Sequence, residues 1–540
     1  MLICNYQDFF DGNVFDAYTF FGAHIENDGI RFRVYAPNAI NVEVIGEFNS
    51  WNGEFMNKIT TSGIYELIIS NAQEGQMYKY RIHQPDCTAI DRCDPYGFQM
   101  ELRPQSSSII TNINKFVFDD EEWMKSRDKC YDKPMNIYEI HLGSWRRKPI
   151  ANENDDIAVS DGWYTYKEIA EELIPYVKAH NYTHIEVLPL SEHPADCSWG
   201  YQTTGFYSAT SRYGSPDDLK YFINECHKNG IGIIMDFVPV HFAVDGYALV
   251  NFDGTSLYEY PNNGAGYSEW GSYNFNYYRY ETRCFMQSCA NFWLSEYHFD
   301  GIRMDAISNM IYWQGDANRG VNNGAVEFLK KMNSGLHHIH PTAILIAEDS
   351  TNFLKVTAPS EYGGLGFDYK WDMGWMNDTL DFFRTAPFER QYHYHKITFS
   401  MHYFYNELFL LPFSHDEVVH GKATIIQKMW GLYEDKFKQA RALYLYMYTH
   451  PGKKLNFMGN EIAQFREWDE EKEQDWFLTK YPTHDSFCKF ITDLSKLYNE
   501  HPALHCQEYN MECFKWLEAD APEDCIYAYK RTFGKDTLII

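Results

Sequence analysis

Three acidic residues stand at or just past the ends of short apolar runs: Asp305 after Gly301-Ile302-Arg303-Met304, Glu348 after Ala343–Ala347, and Asp416 after Phe409–Phe413 and Ser414-His415. A fourth run, Ile231–Met235, ends in Asp236 and continues to His241. Alternate residues of a strand share a face, so Arg303 and Asp305 project side by side. A carboxylate beside a permanent cation stays ionised and oriented, which suits a nucleophile. Glu348 follows a wholly apolar run, which favours the protonated form and suits an acid/base. Asp416, next to His415, suits holding hydroxyls and stabilising developing positive charge. Carboxylates with divided roles are the equipment for cleaving a glycosidic bond through a covalent glycosyl-enzyme. His241 and His415 are either structural or donors to hydroxyls. A single Arg-x-Asp is more often an ordinary salt bridge; the repetition at four strand ends carries the weight. A metal hydrolase would place His-x-His or His-Glu-x-x-His at such strand ends, and none of these runs carries either, so no metal or cofactor is expected.

Something must bring these ends together. From Met135 onward, apolar runs alternate with helical patterns. Eight candidate strands follow: 136–141, 184–190, 231–238, 301–306, 343–348, 366–370, 408–413 and 454–458. Eight is the number a closed (β/α)8 TIM barrel needs, and its C-terminal face gathers the strand ends. Phe285, Met286, Cys289, Phe292 and Trp293 recur at helical spacing before the fourth strand. Residues 245–280, rich in Gly, Asn and Tyr, read as loops on the barrel face. Residues 18–112 instead show short alternating runs separated by turn residues, the pattern of a β-sandwich. Trp51, in a loop at 48–53, either packs that sandwich or presents a ring to a sugar. The expected organisation is an arm at 1–17, the sandwich at 18–112, the barrel at 113–500 and part of a C-terminal β-domain at 501–540. In that last part Ile526–Lys530 and Thr537–Ile540 read as strands.

Composition limits the partners. The formal net charge is −28, which argues against nucleic acid and anionic membranes and suits a neutral substrate. The 42 Tyr, 38 Phe and 14 Trp are enough both to fill a large core and to stack on sugars. The acidic run 467–475 reads as a solvated surface loop, with Trp468 its one unusual residue. The 12 cysteines form no Cys-x-x-Cys pair. No secretory pattern opens the chain, and no run reaches the ~18 apolar residues of a membrane helix. A cytoplasmic, monomeric protein is expected.

Four stretches, Asp236-Phe-Val-Pro-Val-His241, Gly301-Ile-Arg-Met-Asp-Ala306, Ala347-Glu-Asp-Ser350 and Ser414-His-Asp-Glu-Val-Val-His-Gly-Lys422, resemble the signature regions of the α-amylase superfamily (glycoside hydrolase family 13), in the same order. The last is similar to that of the 1,4-α-glucan branching enzymes. Residues 18–112, with Asp94-Pro-Tyr and Glu101-Leu-Arg-Pro104, resemble a family 48 carbohydrate-binding module. The resemblance implies Asp305 as nucleophile, Glu348 as acid/base and Asp416 as transition-state stabiliser. It implies Arg303 as the nucleophile's partner and His241 and His415 as sugar-binding histidines. Tyr201 would stack on that sugar, and Asp236 would belong to its network. The implied reaction cuts an α-1,4 glucan such as amylose, glycogen or amylopectin and transfers the fragment to a glucose 6-hydroxyl, with retained configuration.

Related hydrolases and a silent glucan-binding protein are the competing readings. The 414–422 stretch argues against the first and the complete set of carboxylates against the second. Two departures from the family pattern, Asp372 and Phe353-Leu354, are expected beside the groove. The C-terminal β-domain is short compared with the family's.

Overall fold

The computed structural model describes residues 6–148 and 162–540. Eight parallel strands close a barrel in chain order: β1 (Asn136–Ile140), β2 (His184–Val187), β3 (Gly232–Phe237), β4 (Gly301–Met304), β5 (Ile344–Ala347), β6 (Tyr369–Trp371), β7 (Phe409–Phe413) and β8 (Lys453–Phe457). Each expected run supplies one strand. The sixth is displaced: it was expected at 366–370 and is observed at Tyr369–Trp371. Backbone bonds from Gly366 to Ala358 and from Phe367 to Val356 hold this stretch in the preceding loop, and pairing with β5 begins only at Tyr369.

Helices α1 (Tyr166–Ala179), α2 (Pro216–Lys228), α3 (Tyr280–Glu296), α4 (Asn323–Ile339), α5 (Met373–Arg384), α6 (Tyr433–Thr449) and α7 (Pro482–Glu500) accompany the barrel. Capping boxes start α1 (Thr165 with Glu168) and α2 (Ser215 with Asp218), satisfying the first free N–H groups. Between β5 and β6 the chain makes a single 3-10 turn at Ser360–Tyr362 rather than a helix. Helices outside and packed side chains inside leave the strands buried on both faces, hence their apolar runs.

Strand parity decides what faces inward. Ile137, Ile234, Ile346, Tyr369, Leu410 and Leu455 fill the interior as one cluster. Two residues further along, on the same face, stand Glu139, Asp236 and Glu348, with Glu186 at the same level on β2. The polar site therefore lies directly on top of an apolar plug.

The N-terminal part forms two antiparallel sheets. One runs Gly22–Glu26, Gly29–Tyr35, Ile64–Ile69, Asn57–Lys58; the other runs Glu54–Phe55, Asn41–Gly46, Met77–His83, Ala89–Arg92. Residues 6–10 are a short helix, not an irregular arm. Phe9 is buried, and its backbone oxygen accepts the Cys284 thiol of α3. The opening residues, where the absence of a leader was expected, lie outside the described residues. At the C-terminal end Phe514–Ala521 precedes the two expected strands, and all three pair antiparallel. Trp51 is partly exposed in a left-handed turn (φ +61°).

Candidate active site

The floor of the site is set by β3, β4 and β5. Arg303 is wholly buried and forms the hub. Its Nη1 donates to both oxygens of Asp236 (2.6 and 2.5 Å) and to Asp305 Oδ1 (3.1 Å). Its Nη2 donates to Glu348 Oε2 at 2.5 Å. The Trp371 ring of β6 lies 4.3 Å from the guanidinium carbon, closing the cation's remaining face. After Asp305 the chain turns sharply. Ala306 takes a left-handed conformation (φ +47°), which costs a non-glycine residue about 1–2 kcal/mol. The turn aims the Ala306 N–H at Glu348 Oε2 (3.0 Å) and the Ile307 N–H at Glu348 O (2.9 Å), tying β4 to β5. Asp349 points away from the cluster and pairs with Lys370 at 2.8 Å.

Arg303 is thus not the private partner of Asp305 expected from the Arg-x-Asp spacing. It serves three carboxylates, and Asp236 holds it more closely than Asp305 does. Burial and the nearby charges of Glu348, Asp236 and Asp416 push the Asp305 carboxyl upward against the pull of Arg303. Counting Asp236, Asp305, Glu348 and Asp416 against Arg303 and a charged His415, acids exceed cations. Such a cluster titrates as a unit and retains a proton easily. Glu348 has contacts of its own on this floor. Its apolar strand leads up to it, but its carboxyl meets a guanidinium and a backbone amide.

Opposite, β7 delivers His415 and Asp416. The Tyr201 hydroxyl donates to Asp236 and lies 3.3 Å from His415 Nε2. Asp416 Oδ1 is 3.6 Å from that same Nε2. Burial raises the Asp416 carboxyl, but His415 and Arg303 outweigh it and hold it below its ordinary value. His415 and His241 differ in charge. Burial alone lowers an imidazole; beside Asp416 and Glu139, His415 is nevertheless raised to about 9. His241, buried with Nδ1 unpaired, is pushed down to about 4.

The wall comes from loops. Trp270, from the 245–280 insertion, lies 5.0 Å from the His241 ring. Trp199 stacks on His420 (5.3 Å, 22° between planes) and packs on Trp468 (4.6 Å). His420 has φ +57°. Glu467 holds its turn by accepting the N–H groups of Gly421 (3.0 Å) and Ala423 (2.6 Å). Trp468 is buried and donates to Ser144 Oγ at 2.8 Å, while Glu470 accepts from the Trp199 indole at 3.1 Å. The acidic run 467–475 thus does both: Glu467, Trp468 and Glu470 buttress the site, while Glu471, Lys472 and Glu473 are exposed as expected of a solvated loop.

Tyr201, His241, Asp305, Glu348, His415 and Asp416 line one cleft, together with Trp199, Trp270 and His420. Asp236 and Arg303 lie beneath it. All the sequence-predicted site residues come together. Asp372 does not lie beside the groove: it is buried as the N-cap of α5, accepting from the Trp375 N–H (2.8 Å) and the Tyr403 hydroxyl (2.9 Å). Phe353 packs near Tyr312, and Leu354 is exposed. The sequence reading missed Glu139, His420 and Glu467. A carboxylate inside the otherwise uncharged run Ile137-Tyr-Glu-Ile140 was the signal for the first.

An N-terminal β-sandwich before a (β/α)8 barrel with carboxylates at its strand ends defines an α-amylase-type protein. The chain matches the carbohydrate-binding module 48 (isoamylase N-terminal domain) over residues 20–97 and the alpha amylase catalytic domain over residues 158–251. Its fold is similar to a pullulanase from Anoxybacillus sp. LM18-11, solved with maltotetraose (TM-score 0.75, 17% identity, all of this chain and 83% of that one). It is also similar to a pullulanase from Bacillus acidopullulyticus (TM-score 0.69, 18% identity, 95% and 66%). In sequence it is 46% identical to the 1,4-alpha-glucan branching enzyme GlgB of Geobacillus stearothermophilus, over 98% of this chain and 83% of that protein. It is equally 46% identical to the enzyme of the same name from Fusobacterium nucleatum, over 98% and 86%. The chain belongs to the family of GlgB 1,4-alpha-glucan branching enzymes.

Proposed function

We propose that this protein is a 1,4-α-glucan branching transferase working by double displacement. One observation carries the reading: Asp305, Glu348 and Asp416 converge on one cleft over a shared Arg303, within a family of branching enzymes. Glu348 protonates the glycosidic oxygen of a bound α-1,4 chain while Asp305 attacks the anomeric carbon, so the fragment is held as an ester on Asp305. Glu348 then takes the proton of an acceptor 6-hydroxyl, whose oxygen displaces Asp305 and forms an α-1,6 branch. Two inversions give net retention. Asp416 stabilises the oxocarbenium-like transition state. His415, charged, and His241, neutral, hold sugar hydroxyls; Tyr201 supports the sugar's face; Asp236 holds Arg303 in place. The rings of Trp199 and Trp270 offer sugar faces an apolar wall and leave less room for the water that would hydrolyse the ester. The substrate is an α-glucan polymer. The enzyme acts in the cytoplasm, a reducing compartment in keeping with eleven free cysteines among the described residues, and as a monomer.

Incubation with linear amylose tests this. Iodine colour should fall while reducing ends stay flat, and a subsequent α-1,6-specific debranching digestion should release new ends. Reducing ends that rise together with colour loss identify a hydrolase instead.

A further inference from the structure

Beneath His415, inside the barrel, lies a carboxylate that never reaches the cleft. Glu139 of β1 is 0% exposed. Both its oxygens serve one residue: Oε1 accepts from His415 Nδ1 at 2.5 Å and Oε2 from the His415 backbone N–H at 3.0 Å. Glu186, its register partner on β2, is equally buried, and neither of its oxygens has a hydrogen-bond partner. Two adjacent buried carboxylates cannot both be charged cheaply. Burial first, and then Glu139, push the Glu186 carboxyl far up, toward the neutral acid.

We propose that Glu139 is the positioning residue of His415, fixing the ring and keeping Nδ1 protonated so that Nε2 presents an N–H to a sugar hydroxyl in the cleft. This rests on the branching reading for what His415 binds, but not for the state of the ring. The same cleft supplies a contrast. His241 has no carboxylate behind its Nδ1, which is unpartnered. His415 is faced by Glu139 from β1, Asp416 from its own turn, Arg303 from β4, the Tyr201 hydroxyl, and the rings of Trp199, Phe457 and Trp468. Glu139 and Asp416 favour the charged ring, and Arg303 opposes it. Glu186 is uncharged because burial and Glu139 push its carboxyl far up, and His141 nearby is pushed down to about 3 and is neutral. The wall rings keep water from screening the pair. Nucleophile–base–orienter chains in other enzymes place a buried carboxylate behind a histidine for the same physical reason.

The test compares pH profiles of kcat/KM for the wild-type enzyme, Glu139→Gln and Glu186→Gln. Glutamine can accept only one of the two His415 bonds and carries no charge. For Glu139→Gln the alkaline limb should move from near 9 toward the ordinary imidazole value of about 6.5, costing roughly tenfold or more at pH 8 and much less at pH 6. For Glu186→Gln it should stay in place. A Glu139→Gln limb unchanged from wild type overturns the proposal, since a merely structural role lowers melting temperature without moving the limb. Nitrogen NMR of labelled histidines in the wild-type protein keeps the proposal refutable even if Glu139→Gln fails to fold or no branching is found. His415 should keep two N–H groups until near pH 9, and a ring that loses one by pH 7 refutes the role.

Discussion

On the floor of the cleft, Asp236, Arg303, Asp305 and Glu348 come from three neighbouring strands and share one hydrogen-bonded cluster. On its wall, Trp199, Trp270 and His420 come from separate loops, held by contacts such as Glu467 on the Gly421 and Ala423 amides. Strand pairing fixes the floor before any side chain is chosen, because a parallel barrel sets which residues share a level. The wall depends on particular side chains meeting across long stretches of chain. Changes to the floor should therefore abolish chemistry, and changes to the wall should mainly alter how glucan is held.

The largest effect belongs to the floor. Asp305→Ala or Glu348→Gln should lower kcat by at least about 10³-fold, with glucan still bound in an affinity-gel assay. Neither should lower the melting temperature appreciably, since each relieves a crowded carboxylate cluster. A strong loss of stability would mean that the cluster is structural. On the wall, Glu467→Ala leaves two amides without their carboxylate and frees the His420 turn. A KM for amylose raised roughly tenfold, with kcat within about threefold, is expected, as for the loss of one or two hydrogen bonds. A large kcat loss instead would erase the distinction between floor and wall.

The pH response sharpens it further. His415 is raised from 6.5 to about 9 in the folded protein, so its contribution to stability is complete below pH 6.5 and disappears as pH rises through 9. Melting temperatures of wild type should fall between pH 7 and 9.5, and more steeply than those of His415→Gln. The smallest effect lies off the cleft. Burial raises Asp372 from 3.8 to about 6, so its ionisation weakens the fold above that pH and not below 3.8. Its Oδ2 has no partner. Asp372→Asn keeps the cap on Trp375 and removes the buried charge. The melting temperature should rise by about one to a few degrees at pH 7.5 and hardly at pH 4, with branching unchanged.

How legible this was in the sequence follows the same division. The apolar runs ending in Asp236, Asp305, Glu348 and Asp416 announced both the strands and the floor, because burial on two faces demands continuous apolar residues and the C-terminal end is where they stop. The particular branching reading came from the resemblance of the 414–422 stretch. The partnership of Arg303 with three carboxylates was not legible, since spacing shows neighbours within a strand but not those across strands. Nor was Glu467, whose acidic surroundings look solvated until the 414–423 loop lies over them. Glu139 could have been found by parity, two positions beyond an inward-facing isoleucine. Strand 514–521 was only partly legible: Phe514 and Trp516 flank Lys515 at strand period, but the apolar Leu517 that follows breaks the alternation while standing exposed.

The most direct test of the central claim is to trap the ester on Asp305. Glu348→Gln, given a maltooligosyl fluoride whose leaving group needs no acid, should form the glycosyl-enzyme and fail to discharge it to an acceptor. Mass spectrometry of the intact protein and its peptides should then find the added sugar on the peptide carrying residues 301–306, and not in Asp305→Ala/Glu348→Gln. A sugar located on a different carboxylate, or substrate consumed with no adduct formed, would contradict the assignment of Asp305 and with it the double displacement.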